Sequence, residues 1–310
     1  MDVIEVKNLT KDYGSGRGVF DVNLSVKKGE VFGFLGPNGA GKSTTIRHLM
    51  GFSKPDKGMT YIFGKPTFDK YYEILSKVGY IPGEIALPQG ITGWEFIRMM
   101  QNLQGVKNEE MLERMLKTFE LDDIALKGET KRMSLGVKRK LAIVAAFMSD
   151  PEVLILDEPT SGLDPVMQEV FVKLIHEEKA RGKTILLSSH IFTEIDSTCD
   201  RIAIIKDGRI VSEFVADDLR HASLKYYTVR FGNEEDESKF ERESKKLPSL
   251  TVGEKRDGEL KMSLEDKDLN AFIALLSDCN AKEFSNRRET LEDYFMKFYK
   301  EDKDFGGALK

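Results

Sequence analysis

The residues with the most chemistry in this chain are Gly36-Pro37-Asn38-Gly39-Ala40-Gly41-Lys42-Ser43. They fit the phosphate-loop spacing G-x-x-x-x-G-K-[ST] at every fixed position. Val31–Leu35 before them is a short apolar run that reads as a buried strand, and residues 44–50 after them read as a helix start. Gly36, Gly39 and Gly41 free the backbone to turn its N–H groups onto phosphate oxygens, at the positive end of the following helix. Lys42 can reach β- and γ-phosphates, and the Ser43 hydroxyl can ligate Mg²⁺. The expectation is a protein that binds a nucleoside triphosphate.

A second group of residues supplies what such a loop needs. Val153-Leu154-Ile155-Leu156 runs into Asp157 and Glu158, an apolar strand with carboxylates at its carboxyl end. That end is where ligands bind in open α/β sheets. Asp157 can hold Mg²⁺ through water, and Glu158 can take a proton from an attacking water. Residues 183–190 read as another strand, ending in Ser188-Ser189-His190, which sets His190 in line with the acids. His48, His176 and His221 have no such placing; His48 reads as a packing or solvated residue. Tyr13, on a loop ahead of the phosphate loop, can stack on a purine or merely anchor a hairpin.

The whole chain limits the partners. It has 310 residues, room for about two domains, with 40% hydrophobic and 32% charged residues. A net charge of -5 argues against nucleic acid held on a basic face. The two cysteines, Cys199 and Cys279, stand far apart and outside metal-ligand spacing, and are expected as buried thiols in a reducing compartment. The amino terminus is no signal peptide, and the longest apolar runs fall short of the ~20 residues of a membrane span. Any membrane role must therefore come through a partner.

The elements expected to position these residues follow in order. Residues 3–6 and 20–26 read as strands, then the phosphate-loop strand and helix. Residues 60–64 and 78–81 read as strands, with a helix over 71–76 between them. Residues 92–127 form a helical insertion in which Met111, Met115 and Phe119 recur at helical spacing. Ser134 is a good N-cap for the next helix, whose apolar face is Leu141, Val144, Ala145 and Met148. A helix from about 165 to 181, a helix over 191–199 and a hairpin about Asp207-Gly208 complete this part.

With these motifs in place, residues 1 to about 220 resemble the nucleotide-binding subunit of an ATP-binding-cassette (ABC) transporter. Tyr13 matches the base-stacking aromatic, Gly36 to Thr44 match Walker A, and residues 153–158 match Walker B with its catalytic glutamate. Residues 133–138 fall at the family signature, residues 161–164 at the loop that crosses the dimer interface, and His190 at the switch histidine. The resemblance implies an α/β P-loop fold with a helical subdomain at about 85–150. It also implies ATP with Mg²⁺ on Ser43 and Asp157, and a nucleotide site that includes Asn38, Ala40, Thr44 and Asp164. It implies a head-to-tail homodimer or heterodimer in which Ser134 and Gly136 act in trans. The partner would be an integral-membrane permease, the place the cytoplasmic face of a bacterial membrane, and nucleic acid is not expected. The signature departs from L-S-G-G-Q, reading Met133-Ser134-Leu135-Gly136-Val137, a form similar to drug, peptide and antibiotic-resistance exporters. The Q-loop departs too. Gly83 stands where glutamine follows Pro82, and either Glu84 or an extra water serves the metal.

Residues 221–310 read as a second unit. The order β-α-β-β-α-β, with strands at 224–231, 250–255, 259–264 and 281–284 and helices at 237–246 and 269–276, suggests a ferredoxin-like module. An amphipathic helix over 290–295 follows, and 301–310 read as frayed. This tail reads as a packing or dimer-stabilising appendage. Rival readings are a soluble cassette ATPase acting on nucleic acid or ribosomes, which would carry paired cassettes or a coiled coil, and a silent nucleotide sensor, against which Glu158 and His190 argue.

Overall fold

A computed structural model of the chain describes residues 1–220, 224–256, 258–287 and 290–300. The expected fraying of 301–310 lies outside the described residues. The chain divides into two compact units, Met1–Ala216 and Asp217–Lys310.

The first unit opens with β1 (Asp2–Asp12), β2 (Gly18–Lys27), β3 (Val31–Leu35) and α1 (Lys42–Leu49). Next come β4 (Lys57–Ile62), β5 (Lys65–Pro66), α2 (Thr67–Ile74) and β6 (Val78–Ile81). The helical insertion is α3 (Gly93–Gln104), α4 (Glu109–Thr118), α5 (Asp123–Lys127) and α6 (Leu135–Phe147). After it follow β7 (Val153–Asp157), α7 (Pro165–Ala180), β8 (Thr184–Ser189), α8 (Phe192–Thr198), β9 (Arg201–Lys206) and β10 (Arg209–Val215).

Two sheets form here, in the orders β2-β1-β4-β5 and β10-β9-β3-β8-β7-β6. In the larger sheet β9, β3, β8, β7 and β6 are parallel, and β10 closes one edge antiparallel. β3, β7 and β8 are buried along their whole length, which explains their unbroken apolar runs. The register pairs Leu35 with Ser189, Asp157 with Ser188 and Ile81 with Leu156. The carboxyl ends of four adjacent strands thus open on one edge. A core of Phe32, Phe34, Ile46, Leu49, Ile155 and Leu186 joins α1 to the residues of the antiparallel sheet, among them Ile4, Val22 and Ile62.

Helix starts follow cap chemistry. Thr92 and Glu95 form a reciprocal capping box on α3, and Asn108, Asp122, Ser134 and Asp164 each accept from the first turn of α4, α5, α6 and α7. Met111, Met115 and Phe119 are all buried.

Some expectations need correction. The first strand does not end near Val6. It continues to Asp12 through an irregularity at Asn8, whose φ is 51° and whose amide donates to Asn23 Oδ1 at 2.8 Å. α6 is not one-sided. Ile143, Ala146 and Phe147 are buried along with the expected face, because β6, α3 and α4 all pack against the helix. α2 starts at Thr67 and gives way to a 3₁₀ turn at Leu75–Lys77.

The second unit comprises α9 (Ala216–Arg220, at the boundary), β11 (Leu224–Phe231), α10 (Glu234–Ser244), β12 (Thr251–Arg256) and β13 (Glu259–Glu265). It ends with α11 (Leu269–Asp278), β14 (Ala281–Arg287) and α12 (Leu291–Lys300). Its sheet order is β12-β13-β11-β14, with every pairing antiparallel. Tyr227, Val229, Leu260, Met262 and Leu264 form the core with Phe240 and Phe272 of the helices. α10 begins earlier than expected, because Asn233 caps it and four acids fill its first turn.

Candidate functional site

The loop between β3 and α1 is built by its own backbone. Gly41 is the N-cap of α1 with φ 113°, a conformation that residues with a Cβ avoid, and no side chain caps this helix. The helix also lacks an acid in its first turn, so its N-terminal positive end is left for an external anion. Gly36 is needed for close approach, since a Cβ there would stand 2.5 Å from the Ile205 carbonyl oxygen. The Ala40 carbonyl accepts from Gly208 N at 2.9 Å, so the hairpin turn after β9 props the loop. Asn38, Gly39 and Ser43 are exposed, and Thr44 is half-buried.

Lys42 folds back over this cradle. It is 5% exposed, and its ammonium donates to the carbonyls of Gly36 at 2.5 Å and Pro37 at 3.2 Å. The same ammonium lies 3.1 Å from Glu158 Oε1. The other oxygen, Glu158 Oε2, lies 2.5 Å from His190 Nδ1. Lys42, Glu158 and His190, named from separate stretches of sequence, therefore form one chain of contacts. Glu158 has φ 48°, a strained value for a residue with a side chain. Its backbone N–H donates to the Ser188 carbonyl at 3.0 Å, which holds that conformation.

Asp157 is 2% exposed, and its Oδ1 accepts from Ser188 Oγ at 2.5 Å. A Cβ on Gly83 would lie 3.0 Å from Asp157 Oδ2, so the loop after β6 runs directly over this carboxylate. Glu84, in the bend that follows β6, is exposed. Among the described residues no group of three or more His, Cys, Asp or Glu could hold a metal ion by itself. A small hard cation brought by phosphate oxygens suits one carboxylate and one hydroxyl, and Asp157 and Ser43 offer those donors.

The remaining expected residues are placed as follows. Tyr13 is 53% exposed on the turn after β1, with Lys11 Nζ 5.9 Å from its ring centroid. Ser134 is exposed, and its Oγ accepts from Val137 N at 3.3 Å. A Cβ on Gly136 would lie 3.3 Å from the Gly162 carbonyl oxygen, so the signature turn touches the 161–164 loop within one chain. Asp164 spends one carboxylate oxygen capping α7 through Met167 N at 3.0 Å. His48 is not solvated. It is 1% exposed, and its Nδ1 donates to the Thr44 carbonyl at 2.8 Å, bracing the first turn of α1.

Sequence reasoning missed two buried charged residues whose side chains hydrogen-bond the loops and strand ends of this site. Arg139 is 2% exposed and binds three loop carbonyls. Glu194 is 5% exposed, and its Oε2 accepts from Ser189 Oγ at 2.6 Å and Thr160 Oγ1 at 3.3 Å. Burial pushes the Glu194 carboxyl up to about 7. Nothing in the local sequence marks either one, since a charged residue on a helix reads as solvated.

Comparison with known proteins bears on this geometry. The ABC transporter family profile matches residues 19–161. A bacitracin transport ATP-binding protein of Bacillus licheniformis is 38% identical over 237 residues, covering 75% of this chain and 76% of that protein. A protein of the same description from Enterococcus faecalis is 33% identical, covering 95% of this chain and 96% of that one. The solved structure of an ATP-binding subunit of an ABC transporter superposes with TM-score 0.64 and 34% identity, over 70% of this chain and 92% of that chain. A dimeric ATP-binding cassette in a post-hydrolysis state with ADP and Pi superposes with TM-score 0.62 and 27% identity, over 69% of this chain and 98% of that chain. On this similarity over most of both chains, the chain belongs to the ATP-binding, ATP-hydrolysing subunits of ABC transporters.

Proposed function

We propose that this subunit hydrolyses Mg²⁺-ATP to drive export of a peptide antibiotic or similar drug through a separate membrane permease. The observation that carries the reading is the contact chain from Lys42 through Glu158 to His190 at the carboxyl edge of the sheet. Lys42 and the 36–44 loop would bind the triphosphate, with Asn38, Gly39, Ala40, Gly41 and Thr44 in the cradle and Tyr13 against the base. Ser43 and Asp157 would hold Mg²⁺, Glu158 would activate water, and His190 would keep Glu158 and the γ-phosphate in register. Ser134, Gly136 and Asp164 would complete the site of a second subunit, so that ATP closes the dimer and hydrolysis opens it.

Peptide-antibiotic export is favoured over other cargo by similarity to two bacitracin transport ATP-binding proteins, one of them over nearly the whole of both chains. No helix among the described residues is long and apolar enough to cross a membrane. Similarity to the ATP-binding subunits of bacterial transporters supports work at the cytoplasmic face of a bacterial membrane, docked on a permease. Residues 221–310 would form a ferredoxin-like accessory domain, in keeping with the strand order of that unit. The test is affinity purification from detergent-solubilised membranes, followed by ATPase assay with and without a bacitracin-type peptide. Recovery of a polytopic membrane protein and peptide-stimulated hydrolysis support the reading. Recovery of ribosomes or nucleic acid instead would overturn it.

A further inference from the structure

Arg139 lies in α6, in the turn after Ser134, and its side chain is turned inward. Its guanidinium reaches two loops at once. Nη1 donates to the Pro82 carbonyl at 3.0 Å, Nη2 to the Gly83 carbonyl at 2.8 Å, and Nε to the Ser161 carbonyl at 2.9 Å. Each loop meets one of the two acids. Gly83 runs over Asp157, and Ser161 N donates to the Glu158 carbonyl at 3.2 Å. Burial lowers the affinity of Arg139 for its proton, and the charges of Asp157 and Glu158 oppose that effect.

A planar fork held by three carbonyls fixes direction as well as distance. The loop at 82–84 has no glutamine side chain with which to reach the site, so its link to the rest of the domain runs through backbone carbonyls. Arg139 holds two of them, and it sits on the helix whose N-cap is Ser134. We infer that Arg139 is a positioning residue that transmits the position of the signature helix to Asp157 and Glu158 of the same subunit. A shift of α6, from engagement of Ser134 or from the membrane partner, then moves both loops together and re-aims the acids. This rests on the proposed role of Glu158.

The test uses the full chain with Arg139→Lys and Arg139→Gln. Lysine keeps the charge but cannot satisfy three divergent carbonyls. Hydrolysis is measured against ATP and against Mg²⁺, nucleotide affinity with a fluorescent ATP analogue, and thermal midpoint alongside. For Arg139→Lys the expectation is a kcat lower by roughly 10- to 100-fold. Nucleotide affinity and midpoint should stay near wild type, and half-saturating Mg²⁺ should rise. Amide hydrogen exchange should quicken at 82–84 and 161–163 together, with α1 unchanged. Wild-type kcat and Mg²⁺ dependence would overturn the inference. So would a parallel fall of kcat, affinity and midpoint, which marks a structural staple only. If Arg139→Gln fails to fold, the Lys variant decides. A wild-type protein without hydrolysis, or an active Glu158→Gln, would sink the proposed function and this inference together. An inactive Glu158→Gln beside a normal Arg139→Lys would sink this inference alone.

Discussion

Glu158 Oε1 stands 3.1 Å from Lys42 Nζ, so the expected general base and the expected phosphate-binding cation are in direct contact. A bound γ-phosphate must therefore compete with Glu158 for Lys42, and winning that competition frees the carboxylate to face water. The two residues should then separate in their effects. Glu158→Gln keeps the shape without the charge and should bind ATP while hydrolysis falls on the order of 100-fold or more. Lys42→Ala should weaken ATP binding itself. Equilibrium binding beside single-turnover hydrolysis checks both. Wild-type turnover by Glu158→Gln would remove it from the role of base.

The placing of the phosphate loop, the acids and His190 at one edge of the sheet was legible because each depends on local constraints. Gly36 and Gly41 sit where a Cβ is excluded, and the short apolar runs before Gly36, before Asp157 and ahead of Ser188-Ser189-His190 have the length and composition of buried parallel strands. Arg139 and Glu194 were not legible, because their burial arises only when loops distant in sequence close over them. The same holds for Asn8, whose bulge is held by Asn23 and Asp21 of the neighbouring strand. The early start of α10 was readable in principle. Asn233 and the acids after it are an N-terminal signature, but read without the fold they look like a charged loop.

Assembly in trans makes a separate prediction. A Cβ at Gly136 would already lie 3.3 Å from the Gly162 carbonyl, and an aspartate there adds a carboxylate beside the place expected for the partner's γ-phosphate. In a Glu158→Gln background, ATP should increase the dimer fraction, because hydrolysis no longer separates the halves. Gly136→Asp added to it should abolish that increase. Sedimentation velocity of the full chain with and without ATP reads the increment, so a dimer held by other surfaces does not confuse it. An equal ATP-induced increment in both variants would refute assembly through the signature.

Glu194 links the ends of β7 and β8 through Thr160 and Ser189, and burial raises its carboxyl from an ordinary 4.5 to about 7. The folded chain binds this proton below about 7 and the unfolded chain only below about 4.5. The stabilisation is therefore complete at low pH and is lost as pH rises through about 7. Glu194→Gln retains an acceptor without titrating. Relative to wild type, the variant should gain on the order of 3 kcal/mol between about pH 4.5 and 8. Thermal unfolding across that range measures it, and parallel profiles for the two proteins would show that Glu194 does not titrate there.

The last prediction concerns the loop that departs from its family. A Cβ on Gly83 would be 3.0 Å from Asp157 Oδ2, while Glu84, next along the bend, is exposed. Side chains at 83 and 84 therefore serve different clients. Position 83 faces the Asp157 carboxylate and offers no side-chain donor, which under the proposed function would leave room for water beside a bound Mg²⁺. Glu84 faces outward, where the permease would dock, and its carboxylate is free of the acids at the sheet edge. Glu84→Ala should leave basal hydrolysis and Mg²⁺ dependence within about twofold of wild type, while stimulation by the copurified permease is lost. Gly83→Gln should do the reverse, disturbing Mg²⁺ dependence first, because its Cβ would crowd the Asp157 carboxylate at 3.0 Å and its amide would add a donor there. Parallel Mg²⁺ titrations of both variants, with and without permease, separate the two roles. A collapse of basal hydrolysis in Glu84→Ala would place its carboxylate in the metal shell and refute the division.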